Sequence, residues 1–279
     1  MAEPLAPRDP GFAPAKVNLS LHVTGQRADG LHLLDSLVMF ADVGDHLSLS
    51  LADEMGLTVQ GPRAEGVPGD GRNLVLKVLR AMGVSAQVVL DKQLPAAAGI
   101  GGGSSDGAAA LRLAQAATGR AFRGNLMALG ADLPVCMLAR AARMRGAGEQ
   151  VEALSGCPVL PAVLINPGVE VPTGAVFAAL ERRDNLPMPD RIPGFDTVEE
   201  CAAWLRNQRN DLEPPAMALV PEVAAVCERL RAHGALLARM SGSGATCFGL
   251  FPTAQKAREA ATTLREHHPR WWAKPTLLS

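Results

Sequence analysis

The stretch LPAAAGIGGGSSDGAAAL, from Leu94 to Leu111, constrains the fold of this 279-residue chain more than any other. Four of the five positions from Gly99 to Gly103 are glycine. Glycine has no side chain to bury and is costly to order, so this run does not build a core. A strand signal (87–90) precedes it, and an alanine-rich helix is predicted from about Ser105 to Ala117. Strand, glycine loop and helix together predict that another group approaches the loop backbone closely.

An anion is one candidate for that group. The N-terminus of a helix exposes unpaired N–H groups and the positive end of the helix dipole, which together favour phosphate. The lysine and Ser/Thr of a P-loop are absent, and Ser104 breaks the G-x-G-x-x-G spacing. The competing interpretation is a flexible turn, with Ser104 or Ser105 as the helix cap and Asp106 in the first turn. The loop alone leaves both interpretations open.

Composition narrows the class of partner. The chain is 48% hydrophobic and 20% charged, with a formal net charge of -1 and no block of like charges. This pattern favours a small-molecule partner over nucleic acid or an anionic membrane. The five cysteines are widely spaced without a Cys-x-x-Cys pair, as expected for reduced thiols, and MAEPLAPRDPGFAP has no apolar signal segment. We therefore expect a cytoplasmic protein.

The order of apolar periodicities predicts an α+β fold rather than regular βαβ alternation. The sequence predicts an early strand over 16–23, mixed helix-like and strand-like segments over 31–52, and a charged surface loop over 182–195. The last third is predicted to form helix 222–232, strand 235–240, strand 246–251, helix 253–267 and a strand near 271–278. We place a domain boundary near residue 155, giving domains 1–155 and 156–279.

Three separated stretches, in their order and spacing, resemble the three motifs of the GHMP small-molecule kinases. They are APAKVNLSLHVTGQRADGLHLLDSL (13–37), the glycine stretch, and MSGSGATCFGLF (240–251). LGADLPV, NPGVEVPT and RNDLE are similar to the branch that phosphorylates a cytidine diphosphate-linked methylerythritol in the non-mevalonate isoprenoid route. The resemblance implies an ATP-dependent kinase that uses Mg²⁺. It also implies a two-domain GHMP kinase fold, with an N-terminal half like domain 2 of ribosomal protein S5 and a ferredoxin-like C-terminal half.

The same resemblance implies roles for individual residues. Asp132 matches the family's general base for the attacking hydroxyl, and Lys16 matches the lysine that pairs with it. The resemblance implies that nucleotide binds to Pro95, Ala96, Ala97, Ala98, Gly99, Ile100, Gly101, Gly102, Gly103, Ser104 and Ser105. It implies that substrate contacts Asn18, Leu31, His32, Asp132, Thr173 and Phe177. Gly242 and Gly244 match the third motif, and no residue is assigned as a magnesium ligand.

Taken singly, several of these residues have ordinary interpretations. Asp132 would be a helix cap or a loop carboxylate, Lys16 a solvated strand residue and His32 a partly buried side chain. Leu31 departs from the family, which usually has a tyrosine there to stack on cytosine. The alternatives are a GHMP kinase for another alcohol such as homoserine or mevalonate, a non-catalytic nucleotide sensor, or a ribosomal-type binding module. We expect a monomer or weak homodimer.

Overall fold

The computed structural model describes residues 9–279, so the start of the N-terminal stretch discussed above lies outside the described residues. The strands are β1 (Phe12–Asn18), β2 (His22–Gln26), β3 (His32–Leu51), β4 (Gly56–Gln60), β5 (Ala86–Asp91), β6 (Ala142–Gly146), β7 (Gln150–Ala153), β8 (Leu160–Asn166), β9 (Leu237–Met240), β10 (Cys247–Leu250) and β11 (Trp272–Leu278). The helices are α1 (Leu74–Met82), α2 (Gly102–Thr118), α3 (Leu126–Leu129), α4 (Leu133–Leu138), α5 (Thr173–Ala178), α6 (Val198–Arg206), α7 (Glu213–Leu219), α8 (Pro221–Ala232) and α9 (Ala254–His267). The predicted α+β class is confirmed.

The predicted elements of the last third are confirmed, with ends that shift by one or two residues. In the first third, the prediction of one early strand is wrong, and the structure decides a segment that the sequence left open between helix and strand. The early strand is split into β1 and β2, and the mixed segment over 31–52 is the single 20-residue strand β3. Residues 13–23 are all buried, so the apparent alternation around Val17 did not mark one buried face. The partners of each strand, rather than its own periodicity, decide where it ends.

The chain divides into two compact units that are discontinuous in sequence. The first contains the described residues through Lys16, then Val43–Ala96 and Gly101–Ala139. In it, β4 pairs parallel with β5, and β5 pairs antiparallel with the second half of β3 from His46 to Leu51. Helices α1 and α2 cover this sheet through a shared apolar core. Asn73 caps α1 by accepting a hydrogen bond from the Val75 N–H, which fixes where that helix begins.

The second unit contains Val17–Asp42, Ala97–Ile100 and Arg140–Ser279. Its strands pair in the orders β2–β3–β6–β7 and β11–β8–β10–β9, and all of these pairs are antiparallel. Helices α8 and α9 pack on the second group and close an apolar core. A boundary near residue 155 stays a prediction.

No helix within residues 9–279 is long and apolar enough to cross a membrane.

Candidate active site

An ion pair joins Lys16 in β1 to Asp132 at the start of α4. The Lys16 Nζ donates to Asp132 Oδ2 at 2.7 Å, and the two side chains are 5% and 30% exposed. Asp132 occupies the N-cap position of α4, but its side chain makes no capping hydrogen bond. The ordinary interpretation of Asp132 as a helix cap is therefore wrong. The structure brings together the two residues expected to act as a pair, and leaves part of the carboxylate open to a ligand.

A cysteine lies one helical turn beyond this pair but is chemically quiet. Cys136 is fully buried, and burial raises the pKa of its thiol to about 12. The thiolate is the nucleophilic form of cysteine, so this side chain stays an unreactive thiol near neutral pH.

The glycine loop reaches α2 through left-handed backbone. The φ angles are 48° at Ala97, 72° at Gly99 and 63° at Gly101, a region that glycine adopts without steric cost. Gly101 is the N-cap of α2, and the helix begins at Gly102 rather than at about Ser105. The predicted capping by Ser104 or Ser105 is wrong, because the first helical turn is itself built from the glycine run.

This early helix start places N–H groups of the glycine run at the positive end of α2. The first N–H to enter the helix ladder is that of Ser105, which donates to the Gly101 carbonyl at 2.8 Å. The N–H groups before it have no intrahelical acceptor, as in any α-helix. A Cβ on Gly103 would meet nothing within 4 Å, so a ligand can reach the backbone there. The turn has the properties of an anion site.

The two serines of the loop differ in what they can offer. Ser105 is buried, and its hydroxyl donates to the Pro14 carbonyl at 2.6 Å, while Ser104 is half-buried. Only Ser104 retains access for a ligand. Of the other residues predicted to bind nucleotide, Ala98 and Ile100 are buried, Ala96, Ala97 and Gly103 are exposed, and Pro95, Gly99, Gly101 and Gly102 are half-buried.

The SGSG turn packs against part of the glycine loop within the second unit. The Ser241 hydroxyl donates to the Gly99 carbonyl at 2.9 Å, and the Thr246 N–H donates to the Ala98 carbonyl at 3.1 Å. A Cβ on Gly242 would lie 2.8 Å from the Gly99 oxygen, closer than a real Cβ atom approaches. Close backbone packing therefore explains Gly242 of the third motif, beyond the hairpin turn that the sequence alone suggests.

Aromatic side chains predicted to contact substrate lie together in the second unit. His32 stacks on Phe177 with ring centroids 4.4 Å apart and planes 28° apart. The His32 Nε2 is buried and has no hydrogen-bond partner among residues 9–279. Burial, with a smaller contribution from the Arg183 charge, lowers the pKa of His32. The imidazole is therefore neutral near pH 7 and has one unused ring nitrogen.

Leu31 and Thr173 lie at accessible positions, whereas Asn18 is enclosed. Leu31 is 50% exposed, and the Thr173 hydroxyl hydrogen-bonds to that of Ser243 at 2.8 Å. Asn18 is 1% exposed and donates from Nδ2 to the Ser36 hydroxyl at 2.8 Å. Its Oδ1 has no partner within the described part of the chain. Asn18 thus holds a spare acceptor, but in a buried position.

A buried ion pair between Arg143 and Asp35, which was not predicted from the sequence, holds the charged loop over 182–195. The Arg143 guanidinium donates from Nε to Asp35 Oδ1 at 2.8 Å and from Nη2 to Oδ2 at 2.6 Å. Further guanidinium N–H groups donate to the carbonyls of Met188, Pro189 and Asp190. The available signal was Arg143 between the apolar residues Ala142 and Met144 of β6, together with Asp35 in the largely apolar first half of β3, because buried charges require partners. The pair pins residues 188–190 beside β3 and β6.

Among residues 9–279, no group of three or more His, Cys, Asp or Glu side chains has the arrangement of a metal site. The carboxylates beside the glycine loop and at α4 are already paired with lysines. The described residues therefore do not form a ready-made cage for Mg²⁺.

Comparison with known proteins assigns this arrangement to a family. Residues 73–142 match the GHMP kinases N terminal domain, and residues 193–270 match the GHMP kinases C terminal model. A 4-diphosphocytidyl-2-C-methyl-D-erythritol kinase of Dinoroseobacter shibae is 58% identical over 270 residues, covering 96% of this chain and 94% of that protein. The kinase of the same name from Cereibacter sphaeroides (strain ATCC 17025 / ATH 2.4.3) is 54% identical, with a match that covers 96% of this chain and 98% of that protein. A crystal structure of 4-(cytidine 5'-diphospho)-2C-methyl-D-erythritol kinase superposes with a TM-score of 0.74 at 37% identity, covering 96% of this chain and 98% of that chain.

Proposed function

This chain belongs to the GHMP kinase family, within it to the 4-diphosphocytidyl-2-C-methyl-D-erythritol kinases, and we propose on that premise that it phosphorylates the 2-hydroxyl of 4-diphosphocytidyl-2-C-methyl-D-erythritol with ATP. The expected family, the two-domain GHMP kinase fold and the class of ATP-dependent small-molecule kinase are confirmed. The observation that carries the proposal for the site is the Lys16–Asp132 ion pair, which leaves the carboxylate 30% exposed.

The donor phosphates of ATP bind the first turn of α2 in this proposal. Phosphoryl transfer asks the protein mainly to position phosphates and to offset their charge. The N–H groups that precede Ser105 and the positive end of the helix dipole supply both. The open space above Gly103 admits phosphate oxygens, which a side chain there would obstruct.

Asp132 orients the substrate hydroxyl and receives its proton. The hydroxyl oxygen attacks the γ-phosphorus, the bond between that phosphorus and the β,γ-bridging oxygen breaks, and ADP leaves. Because the transition state of phosphoryl transfer is loose, the main task of the carboxylate is to position the attacking hydroxyl. Lys16 holds the carboxylate in place through the 2.7 Å hydrogen bond and offsets the negative charge of the reacting phosphate.

His32 recognises the cytosine edge, and Phe177 supports the imidazole ring. The unused Nε2 of a neutral imidazole donates or accepts one hydrogen bond, depending on the tautomer. Stacking on Phe177 fixes the plane of that bond. Leu31 contributes apolar contact to the base, Thr173 offers a hydroxyl to the substrate, and Asn18 offers its buried carbonyl oxygen.

Magnesium belongs to the proposal as the counter-ion of ATP. The described carboxylates do not fit a dedicated site, and Mg²⁺ usually keeps several waters and binds substrate phosphates. No step of the proposed mechanism depends on a protein ligand to the ion. The proposal also places the protein in the cytoplasm and in isoprenoid precursor synthesis. It includes a monomer or weak homodimer and a domain boundary near residue 155.

The deciding experiment measures ADP release with three alcohols in parallel. We expect turnover with the cytidylyl substrate, and none above background with homoserine or mevalonate. Preference for either of the other alcohols would refute the proposed substrate. ATP binding without turnover on any of the three would instead indicate a nucleotide sensor.

A further inference from the structure

A second lysine lies beside the glycine loop, in a buried cluster with two aspartates. The Lys92 Nζ donates to Asp45 Oδ2 at 2.5 Å and to Asp106 Oδ2 at 2.9 Å. All three side chains are at most 4% exposed. Asp106 lies in α2, Asp45 in β3, and Lys92 directly follows β5, so the cluster ties three elements of the first unit together. The catalytic mechanism proposed above does not use it.

Asp45 also holds the start of the glycine loop. Its Oδ1 accepts hydrogen bonds from the Gln93 N–H at 2.6 Å and from the Leu94 N–H at 2.9 Å. The carboxylate thus fixes the backbone immediately before Pro95, where the loop begins. At the other end of the loop, a Cβ on Gly102 would lie 3.6 Å from Lys92 Nζ and 3.9 Å from Asp45 Oδ2. The cluster lies directly against the first turn of α2.

The charges of the cluster do not cancel when all three groups are ionised. One lysine and two aspartates leave one net negative charge, and Asp106 Oδ1 has no hydrogen-bond partner among the described residues. Burial raises the pKa of Asp106 to about 7, although the Lys92 charge opposes this shift. Burial lowers the pKa of Lys92, but Asp106 and Asp45 outweigh it, so the net pKa is raised. Lysine therefore stays charged while Asp106 changes protonation near neutral pH.

Other charged groups at the start of α2 do not alter this balance. Lys16 lies beside Gly101, where a Cβ would be 3.2 Å from the Lys16 Cβ, but its charge is matched by that of Asp132. Lys92 and Asp45 are the charged groups that act on Asp106. An anion that binds the first turn of α2 therefore meets a buried charge that depends on Asp106.

We propose that Lys92, Asp45 and Asp106 form a positioning cluster for ATP, which fixes both ends of the glycine loop and sets the charge beneath the phosphate-binding turn. The proposal rests on the phosphate site assigned above. Asp45 holds the loop entrance, Lys92 connects it to α2, and Asp106 determines whether the cluster is neutral or negative. A neutral cluster favours the phosphates, so nucleotide binding weakens as Asp106 ionises.

The test compares Asp106→Asn and Asp45→Asn with the wild type. Asparagine at 106 keeps an oxygen for Lys92 and removes one charge. Asparagine at 45 keeps an oxygen for the two backbone N–H groups but turns an amide N–H toward Lys92, which breaks the connection to the lysine. Asp91→Asn is the matched control, because Asp91 is only partly buried and lies one residue before Lys92. The dissociation constants of ATP and of AMP are measured by calorimetry from about pH 6 to 9, with thermal melts.

For the wild type, we expect ATP affinity to fall several-fold as pH rises through about 7, the pKa of Asp106. Asp106→Asn should flatten this profile and bind ATP about threefold to tenfold more tightly than wild type at the alkaline end. Asp45→Asn should weaken ATP binding about tenfold, which is the usual size of effect when a residue that supports a binding site is lost. AMP, which lacks the β and γ phosphates, should respond little in either variant, and Asp91→Asn should follow the wild type.

Parallel pH profiles of Asp106→Asn and wild type would overturn the inference, as would equal effects on ATP and AMP. Asp106→Asn decides the question even if Asp45→Asn fails to fold. Because calorimetry requires no turnover, absence of activity with the cytidylyl alcohol would count against the proposed substrate and leave the cluster tested. Absence of ATP binding in the wild type would refute both.

Discussion

Asp132→Asn separates the chemistry of the active site from its architecture. The replacement has the same shape and keeps a side-chain oxygen within reach of Lys16, which now donates to Asp132 Oδ2 at 2.7 Å. It removes the negative charge and the proton acceptor. We expect turnover to fall while ATP binding stays near the wild-type value, because the nucleotide contacts in the proposal lie on the α2 turn.

The expected effects on turnover and stability follow from the groups that Asp132→Asn removes and those that it keeps. Removing a positioned general base typically costs about 10²-fold to 10⁴-fold in rate, which corresponds to about 3 to 5 kcal/mol of transition-state stabilisation. Stability should change much less, because a neutral hydrogen bond replaces a charged one and Lys16 is not left without an acceptor. The difference between such bonds is about 1 kcal/mol, or about 2 to 4 °C in melting temperature.

The assay is steady-state ADP release, with ATP affinity and a thermal melt measured on the same preparation. Asp70→Asn is the matched control, because it removes a carboxylate from an exposed pair with Arg72 at 2.9 Å. Exposed pairs contribute little to stability, so this control should leave turnover and melting unchanged. Lys16→Met and the double variant complete the cycle, and the two residues act as one unit if the double loses less than the product of the singles.

A turnover for Asp132→Asn within a few-fold of the wild type would remove Asp132 from the mechanism. A melting temperature that drops by much more than about 4 °C would show that the Lys16–Asp132 ion pair is mainly structural.

Three further predictions concern the base, the phosphates and the buried arginine. Leu31→Tyr should lower the Michaelis constant for the cytidylyl substrate with little change in turnover, because an aromatic ring can add about 1 to 3 kcal/mol of stacking; kinetics that show no gain would mean that Leu31 does not face the base. Gly103→Val should lower ATP affinity more than about tenfold in protein that melts normally, since it fills the space that the phosphates require; calorimetry against Ala116→Val, a change at an exposed position in the same helix, checks this. Arg143→Met should lower the free energy of unfolding by about 3 to 5 kcal/mol, because it leaves Asp35 buried without its cation; a denaturant-unfolding midpoint equal to that of the wild type would contradict this.

Local patterns in the sequence predicted much of the candidate site. The glycine run predicted a backbone-binding loop before a helix, and the resemblance of three motifs implied the pairing of Lys16 with Asp132. The helices and strands of the last third were predicted because each carries its own signals, such as Thr253, which caps α9 by accepting from the Lys256 N–H. The loop and these helices and strands depend on residues close together in the chain, so local patterns were sufficient; the pairing of Lys16 with Asp132, 116 positions apart, was implied only by the resemblance to a family.

Tertiary structure decided what depends on residues far apart in the chain. β3 continues over 20 residues because β2, β6 and β5 pair with successive parts of it, which its own periodicity cannot reveal. The Arg143–Asp35 pair joins residues 108 positions apart, and Lys92 reaches Asp45 across 47. A buried charge needs a partner, and no local pattern says which distant residue supplies it. The sequence by itself therefore determined the glycine loop and the helix that follows it, and its resemblance to a family implied the Lys16–Asp132 pair, whereas only packing decided which charges lie beneath the loop.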